Sequence, residues 1–410
     1  MIILSTLAGI LFWISLALIL YTYLGYPTLI TLLSYFKPRR TFSSRELPEI
    51  TLIIVAFNEE IVIEQKINNS LQLDYPPGKL QILVAADGSN DQTTSIVKAY
   101  ADQGVDLSYE PQRRGKIAAM NRAADQARGE ILVFSDANNM YTPQALRHLV
   151  APFSDPRVGG VVGAKKYYQE GTNLEKSESL YWRYESWIKK KETRLGSCTA
   201  NSGEIFAMRK ACYVPPPTSI INDDFYFLVH ILQTNRDMVY APRAHSYEAI
   251  SSSEQEELQR RARIIAGRFQ ALTYAPRLLA FKRPGVFFQL VSHKFLRPFV
   301  PLGMLGMFLS SLFTTLIPPD SGPALLSLRS PWNWITLSGQ ILFYLLAAAG
   351  KRVKHPGVLK RLLDLPFFIV HSNLSALAGL YRFLFKKQTP VWKMAKRKKI
   401  SHPFPMEDIS

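Results

Sequence analysis

Leu80–Ala86, read as Leu-Gln-Ile-Leu-Val-Ala-Ala, runs without a break into Asp87-Gly88-Ser89-Asn90-Asp91. A short apolar run bounded by turn residues reads as a strand buried on both faces, and such strands belong to parallel sheets with helices on either side. The same pattern recurs on both sides of it. Ile50–Ala56 leads into Phe57-Asn58-Glu59-Glu60, and Glu130–Ser135 leads into Asp136-Ala137-Asn138-Asn139. Further apolar runs stand at Val158–Gly163, Glu204–Met208 and Met238–Ala241. Helix-like stretches lie between the earlier runs, at Glu59–Leu71, Asp91–Gln103, Lys116–Arg128 and Pro143–Phe153. Residues 48–273 are therefore expected to form an α/β domain with a mostly parallel sheet, free of internal repeats.

In an open α/β sheet, ligands bind beyond the carboxyl ends of the strands. Singly, Asp-Gly or Asn-Glu after a strand is a turn or a helix cap. Three strands each followed by polar and acidic residues point instead to a site on one rim. A dinucleotide fold is not expected, because no G-x-G-x-x-G follows the first strand. Arg114-Gly115-Lys116 also lacks the spacing and hydroxyl of a P-loop. Lys116 does open a predicted helix, where backbone N–H groups and an ammonium can hold an anion.

The 410 residues are 47% hydrophobic and 20% charged, with a formal net charge of +17. That charge is segregated. Met1–Phe36 carries no charged residue, whereas Lys351–Ile400 holds thirteen Lys or Arg against the single Asp364. A nucleic-acid binder would spread the excess over its folded body, so the pattern reads as membrane-flanking. Cys198 and Cys212 have no zinc or redox spacing and fit a reducing compartment. The expected plan is a transmembrane helix in 1–36, a basic linker at 37–47, the α/β domain at 48–273 and an interfacial helix at 274–298. Membrane segments follow at 299–385 and a basic tail at 386–410. Within these, Leu4–Leu24, Phe299–Ile317 and Trp332–Ala349 are long enough to span, and Leu365–Phe385 is assigned a span despite His371, Asn373 and Arg382. Positive charge after the first segment places the α/β domain in the cytoplasm and the chain in the cell's inner membrane. Lys396–Lys399 is expected to meet anionic headgroups.

Six motifs in order resemble the membrane-embedded family 2 glycosyltransferases with a GT-A fold, the group that includes the hyaluronan, chitin, cellulose and poly-N-acetylglucosamine synthases. They are Ala56–Glu60, Ala85–Asp91, Arg113–Ala123, Phe134–Asn139, Asn222–Phe225 and Gln259–Arg263. The resemblance implies that Asp87 receives the base of a nucleotide sugar, with Asn58 and Glu59 at the ribose and Lys116 at the ribose or diphosphate. It implies that Asp136, with Asn138, holds Mg²⁺ or Mn²⁺ on the diphosphate. Asp224, the second acid of Asp223-Asp224, matches the catalytic base. Gln259, Arg260, Arg261 and Arg263 match a region whose basic groups meet the diphosphate.

The chemistry needs the same residue types. A departing nucleoside diphosphate gathers negative charge that a hard cation stabilises, and an acceptor hydroxyl needs a carboxylate to take its proton. Direct attack opposite the leaving group implies inversion. Two positions depart from the family pattern. Asn138 stands where the metal motif has its last Asp, and Ala262-Arg263 replaces Arg-Trp, which removes an aromatic platform. Short or single-sugar transfer is therefore expected, unless Tyr181, Trp182 or Trp187 supplies the ring. The expected partners are a nucleotide-sugar donor (a UDP-sugar first), a glycan or lipid-linked acceptor, and the bilayer, with no nucleic acid. Two other readings stay open. One is transfer to a polyprenyl phosphate, with Lys294 and Arg297 as its basic groups, and the other is a non-catalytic nucleotide-sugar-binding membrane protein.

Overall fold

The computed structural model describes residues 2–42, 46–167, 173–248, 254–278, 283–319, 322–353 and 358–389. Arg45 of the linker and the Lys396–Lys399 run lie outside the described residues. Two compact units result. One is an α/β unit drawn mainly from Ile30–Glu257 with Gln270–Gln289; the other is helical, from Met1–Leu29, Leu258–Phe269 and Leu290–Lys387.

The α/β unit contains strands β1 (Ile50–Ala56), β2 (Leu80–Asp87), β3 (Val105–Glu110), β4 (Ile131–Asp136), β5 (Met140–Tyr141), β6 (Val158–Tyr167), β7 (Phe206–Arg209) and β8 (Asp237–Glu248). They form one sheet in the order β3-β2-β1-β4-β7-β6-β8-β5. The half from β3 to β4 is parallel, as the apolar runs predict. Beyond it the sheet is mixed: β7 runs antiparallel to β4 and β6, β6 and β8 are parallel, and β5 is antiparallel to β8. Leu52, Ile53, Ile54, Val84, Leu132 and Val133 are fully buried, as strands covered on both faces must be. Each such aliphatic side chain contributes about 1.5–3 kcal/mol by leaving water.

Register sets the rim. Val55 pairs with Asp136, Ala56 with Ala86, and Asp87 with Glu110, so β1, β2 and β4 end side by side. Two elements start later than the sequence suggests. The first helix covers Ile63–Leu71, and β7 begins at Phe206, which leaves Glu204 in the preceding turn.

Among the described residues, three segments, lying mostly in the helical unit, are long and apolar enough to cross a membrane: Ile3–Tyr35, Pro284–Leu316 and Leu362–Leu384. The first continues through a π-helical turn at Tyr21–Gly25 into Tyr26–Tyr35. The expected interfacial helix is instead continuous in helical turns with Val300–Leu316. Trp332–Arg352 is helical but not one of the three, since Asn333, Ser338 and Gln340 interrupt its apolar content. Close approach inside this unit relies on glycine. A Cβ on Gly379 would stand 2.6 Å from Ile265 Cβ and 2.7 Å from the Ala262 carbonyl oxygen.

Candidate active site

The loops after β1 and β2 interlock. Asn58 takes a left-handed conformation (φ 53°), which its short polar side chain tolerates. Its amide exchanges hydrogen bonds with Asn90: Asn58 Nδ2 donates to Asn90 Oδ1 at 2.7 Å, and Asn90 N donates to Asn58 Oδ1 at 2.9 Å. The Asn58 N–H donates to Ser89 Oγ and the Glu59 N–H to Thr93 Oγ1, with Glu59 itself buried. Asn58 and Glu59 therefore shape the rim before they can touch a ligand.

Asp87 is buried at the end of β2 and holds the chain that follows β3. Its Oδ1 accepts the Arg114 N–H at 2.9 Å and its Oδ2 the Gly115 N–H at 2.7 Å. Gly88 (φ 66°) lets that chain approach, since a Cβ there would meet Arg113 N at 2.6 Å. Arg113 in turn stacks on Phe57, 3.7 Å from the ring centre. The expected base-reading carboxylate thus also anchors the loop that delivers Lys116.

Lys116 opens the Lys116–Gln126 helix immediately after that loop. Its Nζ lies 3.0 Å from Asp136 Oδ1, at the end of β4, and 3.4 Å from Asp223 Oδ2. Burial disfavours the Lys116 ammonium, but Asp136, Asp223 and Asp224 outweigh it and hold its pKa well above the ordinary lysine range. Asp223 and Asp224 begin the Asp223–Gln233 helix. Its N-cap is Asn222, whose Oδ1 accepts the Phe225 N–H at 3.1 Å, so neither acid is occupied with capping. The Asp224 pKa is pushed well above the usual carboxylate range by burial and then by Asp223 beside it, with Lys116 drawing it partly back. Asp223 Oδ2 is buried, and among the described residues its ion pair with Lys116 is not matched by any hydrogen bond. These groups border a narrow pocket of about 10 Å³, lined also by Phe134, Phe206 and Phe227.

Sequence reading missed a second layer of charged groups. Lys165, on β6, is buried and pairs with Glu204 at 2.6 Å and with Glu248. Asn138 Nδ2 donates to Glu248 Oε1 at 2.9 Å, which ties Asn138 to the end of β8. The Lys165-Lys166 pair just beyond the apolar Val158–Gly163 run was the available clue.

Among the described residues, no group of three or more His, Cys, Asp or Glu is arranged to hold a metal ion. Asp136 offers a partly open carboxylate at the end of β4, with its side chain 31% exposed. That donor set fits Mg²⁺ or Mn²⁺ bound through one carboxylate, with substrate phosphate and water completing the shell. It does not fit a cage built from protein alone.

The Gln259–Arg263 stretch falls in the helical unit rather than in the α/β domain assigned from sequence. There Arg261 donates to Ser372 Oγ at 3.0 Å and lies over Phe368, and the Gln259 carbonyl accepts from Arg382 at 3.4 Å. Ala262 is fully buried. Its carbonyl oxygen would stand 2.7 Å from a Cβ at position 379, which accounts for the glycine there. Arg260 and Arg263 lie on the same Glu254–Leu278 helix, half-buried.

Residues 51–213 match glycosyl transferase family 2. A Bacillus subtilis protein named probable glycosyltransferase YdaM is 31% identical over 132 residues, 31% of each chain. The poly-beta-1,6-N-acetyl-D-glucosamine synthase of Staphylococcus aureus is 28% identical over 175 residues, 41% of each chain. The chain therefore spans between 31% and 41% of the length of these curated relatives. In fold, it is similar to a mannosyltransferase from Pyrobaculum calidifontis solved in complex with GDP-Man and Mn²⁺. That match has a TM-score of 0.69 and 19% identity, and covers 93% of this chain and 100% of the other.

Proposed function

We propose that this chain, which carries a glycosyl transferase family 2 domain in a GT-A fold, transfers a sugar from a nucleoside-diphosphate sugar, with a UDP-sugar as first choice, to a glycan or lipid-linked hydroxyl at a membrane, inverting the anomeric carbon. The observation that carries this reading is the convergence of Lys116, Asp136, Asp223 and Asp224 at the rim where β1 and β4 end.

In this reading Asp224 is the general base. Its raised pKa makes it a stronger proton acceptor once ionised, which suits removal of a proton from a sugar hydroxyl. Lys116 stays charged throughout and faces the side from which the diphosphate leaves. Asp136 would hold a divalent cation there, which would supply charge neutralisation for the leaving group. Asp87 and the Asn58–Asn90 pair keep the loops around the nucleoside in register. Asn138, already bonded to Glu248, is given a supporting role rather than a place among the metal ligands.

Protein in nanodiscs, screened against radiolabelled UDP- and GDP-sugars, tests the reading. Release of nucleoside diphosphate with one donor supports it; no release with any donor in the presence of acceptor extracts counts against it. A second reading, transfer to a polyprenyl phosphate, draws on the buried His293-Lys294 pair inside the Pro284–Leu316 candidate span. Ionisable side chains in such a segment generally serve function. Formation of a labelled product extractable into organic solvent would favour it over a soluble glycan.

A further inference from the structure

We propose that Lys66 is a positioning residue for the donor site, holding from behind the turn that presents Asp136. The inference rests on the nucleotide-sugar reading above. Lys66 lies on the Ile63–Leu71 helix, on the face it shares with Ile63, Ile67 and Ser70, and is fully buried. Its Nζ donates to the Asn139 carbonyl at 2.5 Å and sits 4.0 Å from the centre of the Tyr141 ring. One helical turn on, Asn69 grips the backbone of Tyr141 at both groups. Asn69 Nδ2 donates to Tyr141 O at 2.9 Å, and Tyr141 N donates to Asn69 Oδ1 at 2.8 Å. The turn closes on Asp136 itself, whose carbonyl accepts the Asn139 N–H at 3.3 Å. Tyr141 Oη completes the clamp by donating to the carbonyls of Phe134 and Glu204.

A methionine would fill this space without the cost of burying an amine. Burial draws the Lys66 pKa down to about 7, with Asp136 acting the other way. Stability alone therefore does not account for a lysine here. Geometry does: no apolar side chain can hold the Asn139 carbonyl, and Asp136 is three residues upstream. A residue that orients a ligand-bearing turn without touching the ligand typically changes affinity by about 10–100-fold when lost.

The test uses the full chain in nanodiscs, with UDP and GDP as probes, titrated calorimetrically with Mn²⁺ and again in EDTA. Lys66→Met keeps the length of the side chain. The variant should melt close to wild type yet bind nucleotide with Mn²⁺ about 10–100-fold more weakly, while its weaker binding in EDTA stays at the wild-type level. Asn69→Ala should move the same way. A folded Lys66→Met with wild-type affinity in Mn²⁺ overturns the inference; if Lys66→Met does not fold, unchanged affinity in Asn69→Ala overturns it. Wild-type protein that binds neither nucleotide removes the parent reading and this inference together. Wild-type binding with unaffected variants removes this one alone.

Discussion

Gly203 leaves open the space against Asp224: a Cβ at Gly203 would stand 2.6 Å from Asp224 Oδ1. Gly203→Ala must therefore shift the carboxylate, and turnover should fall while nucleotide binding holds. Asp224→Asn should lower kcat by about 10²–10⁴ with donor affinity retained. Both are read by steady-state kinetics beside calorimetric nucleotide titration. A larger loss of kcat in Asp223→Asn than in Asp224→Asn would reverse the assignment within the pair.

The pH profile should report the coupling of the two acids. Asp224 accepts a proton only when ionised, and its pKa is raised, so the acid limb of kcat should lie above the ordinary carboxylate range. Asp223→Asn removes the neighbouring negative charge and lowers the Asp224 pKa. The limb should then move to lower pH. A limb that stays fixed would mean that another group titrates.

Activity should vanish in excess EDTA and return with Mn²⁺ or Mg²⁺, and Asp136→Asn should raise the metal concentration needed for half-activity. Asn138→Asp should not tighten metal binding, although the motif alone suggests that it would. The new carboxylate would face Glu248 across a contact of 2.9 Å and lose the hydrogen bond made there. Tighter Mn²⁺ dependence in Asn138→Asp would return Asn138 to the ligand set.

Gly379→Val should destabilise the helical unit. Its side chain would be driven into the Ala262 carbonyl and Ile265, and overpacking of this kind costs about 1–3 kcal/mol. A lowered temperature of half-inactivation in nanodiscs is the measurement. Wild-type heat resistance would show that the two helices separate without cost.

Products should be short. Arg263 stands where the motif has its Trp and offers no ring to a sugar, and Lys165 Nζ lies over the Trp182 ring, 5.6 Å from its centre. Sizing the products at a low enzyme-to-acceptor ratio is decisive. Long chains formed while most acceptor stays untouched would overturn this expectation.

The parallel half of the sheet was legible because β1, β2 and β4 are continuous apolar runs, and Asp87 and Asp136 fall at their ends. β3 was not, because Val105–Glu110 mixes apolar and polar residues, as a sheet-edge strand with one open side does. β5 has two residues and no period to read. Convergence of Lys116 with Asp136 and Asp223 was anticipated from motif order, but the capping role of Asn222 needed coordinates. Lys66 left a trace that was readable in principle: a charge among Val62, Ile63, Ile67 and Ser70 on one helical face. Which unit Gln259–Arg263 packs in was not legible, since a basic helix looks alike in either. The packing of Ala262 against Gly379 joins residues far apart in sequence, which no local pattern encodes.

At the amino end of β8, Asp237 takes Arg40 on Oδ2 at 2.9 Å and Arg283 on Oδ1 at 2.5 Å, and Arg40 also reaches Asp155 at 2.8 Å. Arg40 lies near the start of the α/β unit and Arg283 near its last described stretch. Both ends of a very long chain segment are thus clasped on one carboxylate, which makes the segment a non-covalent ring. The entropy of closing a ring grows only with the logarithm of its length, so a clasp of a few ion pairs can hold even this one shut. Fraying at either end then strips Asp237 of one of its two partners and weakens the shared anchor. Amides around Arg40 and Arg283 should exchange with deuterium in step, as one opening unit rather than as two loose ends.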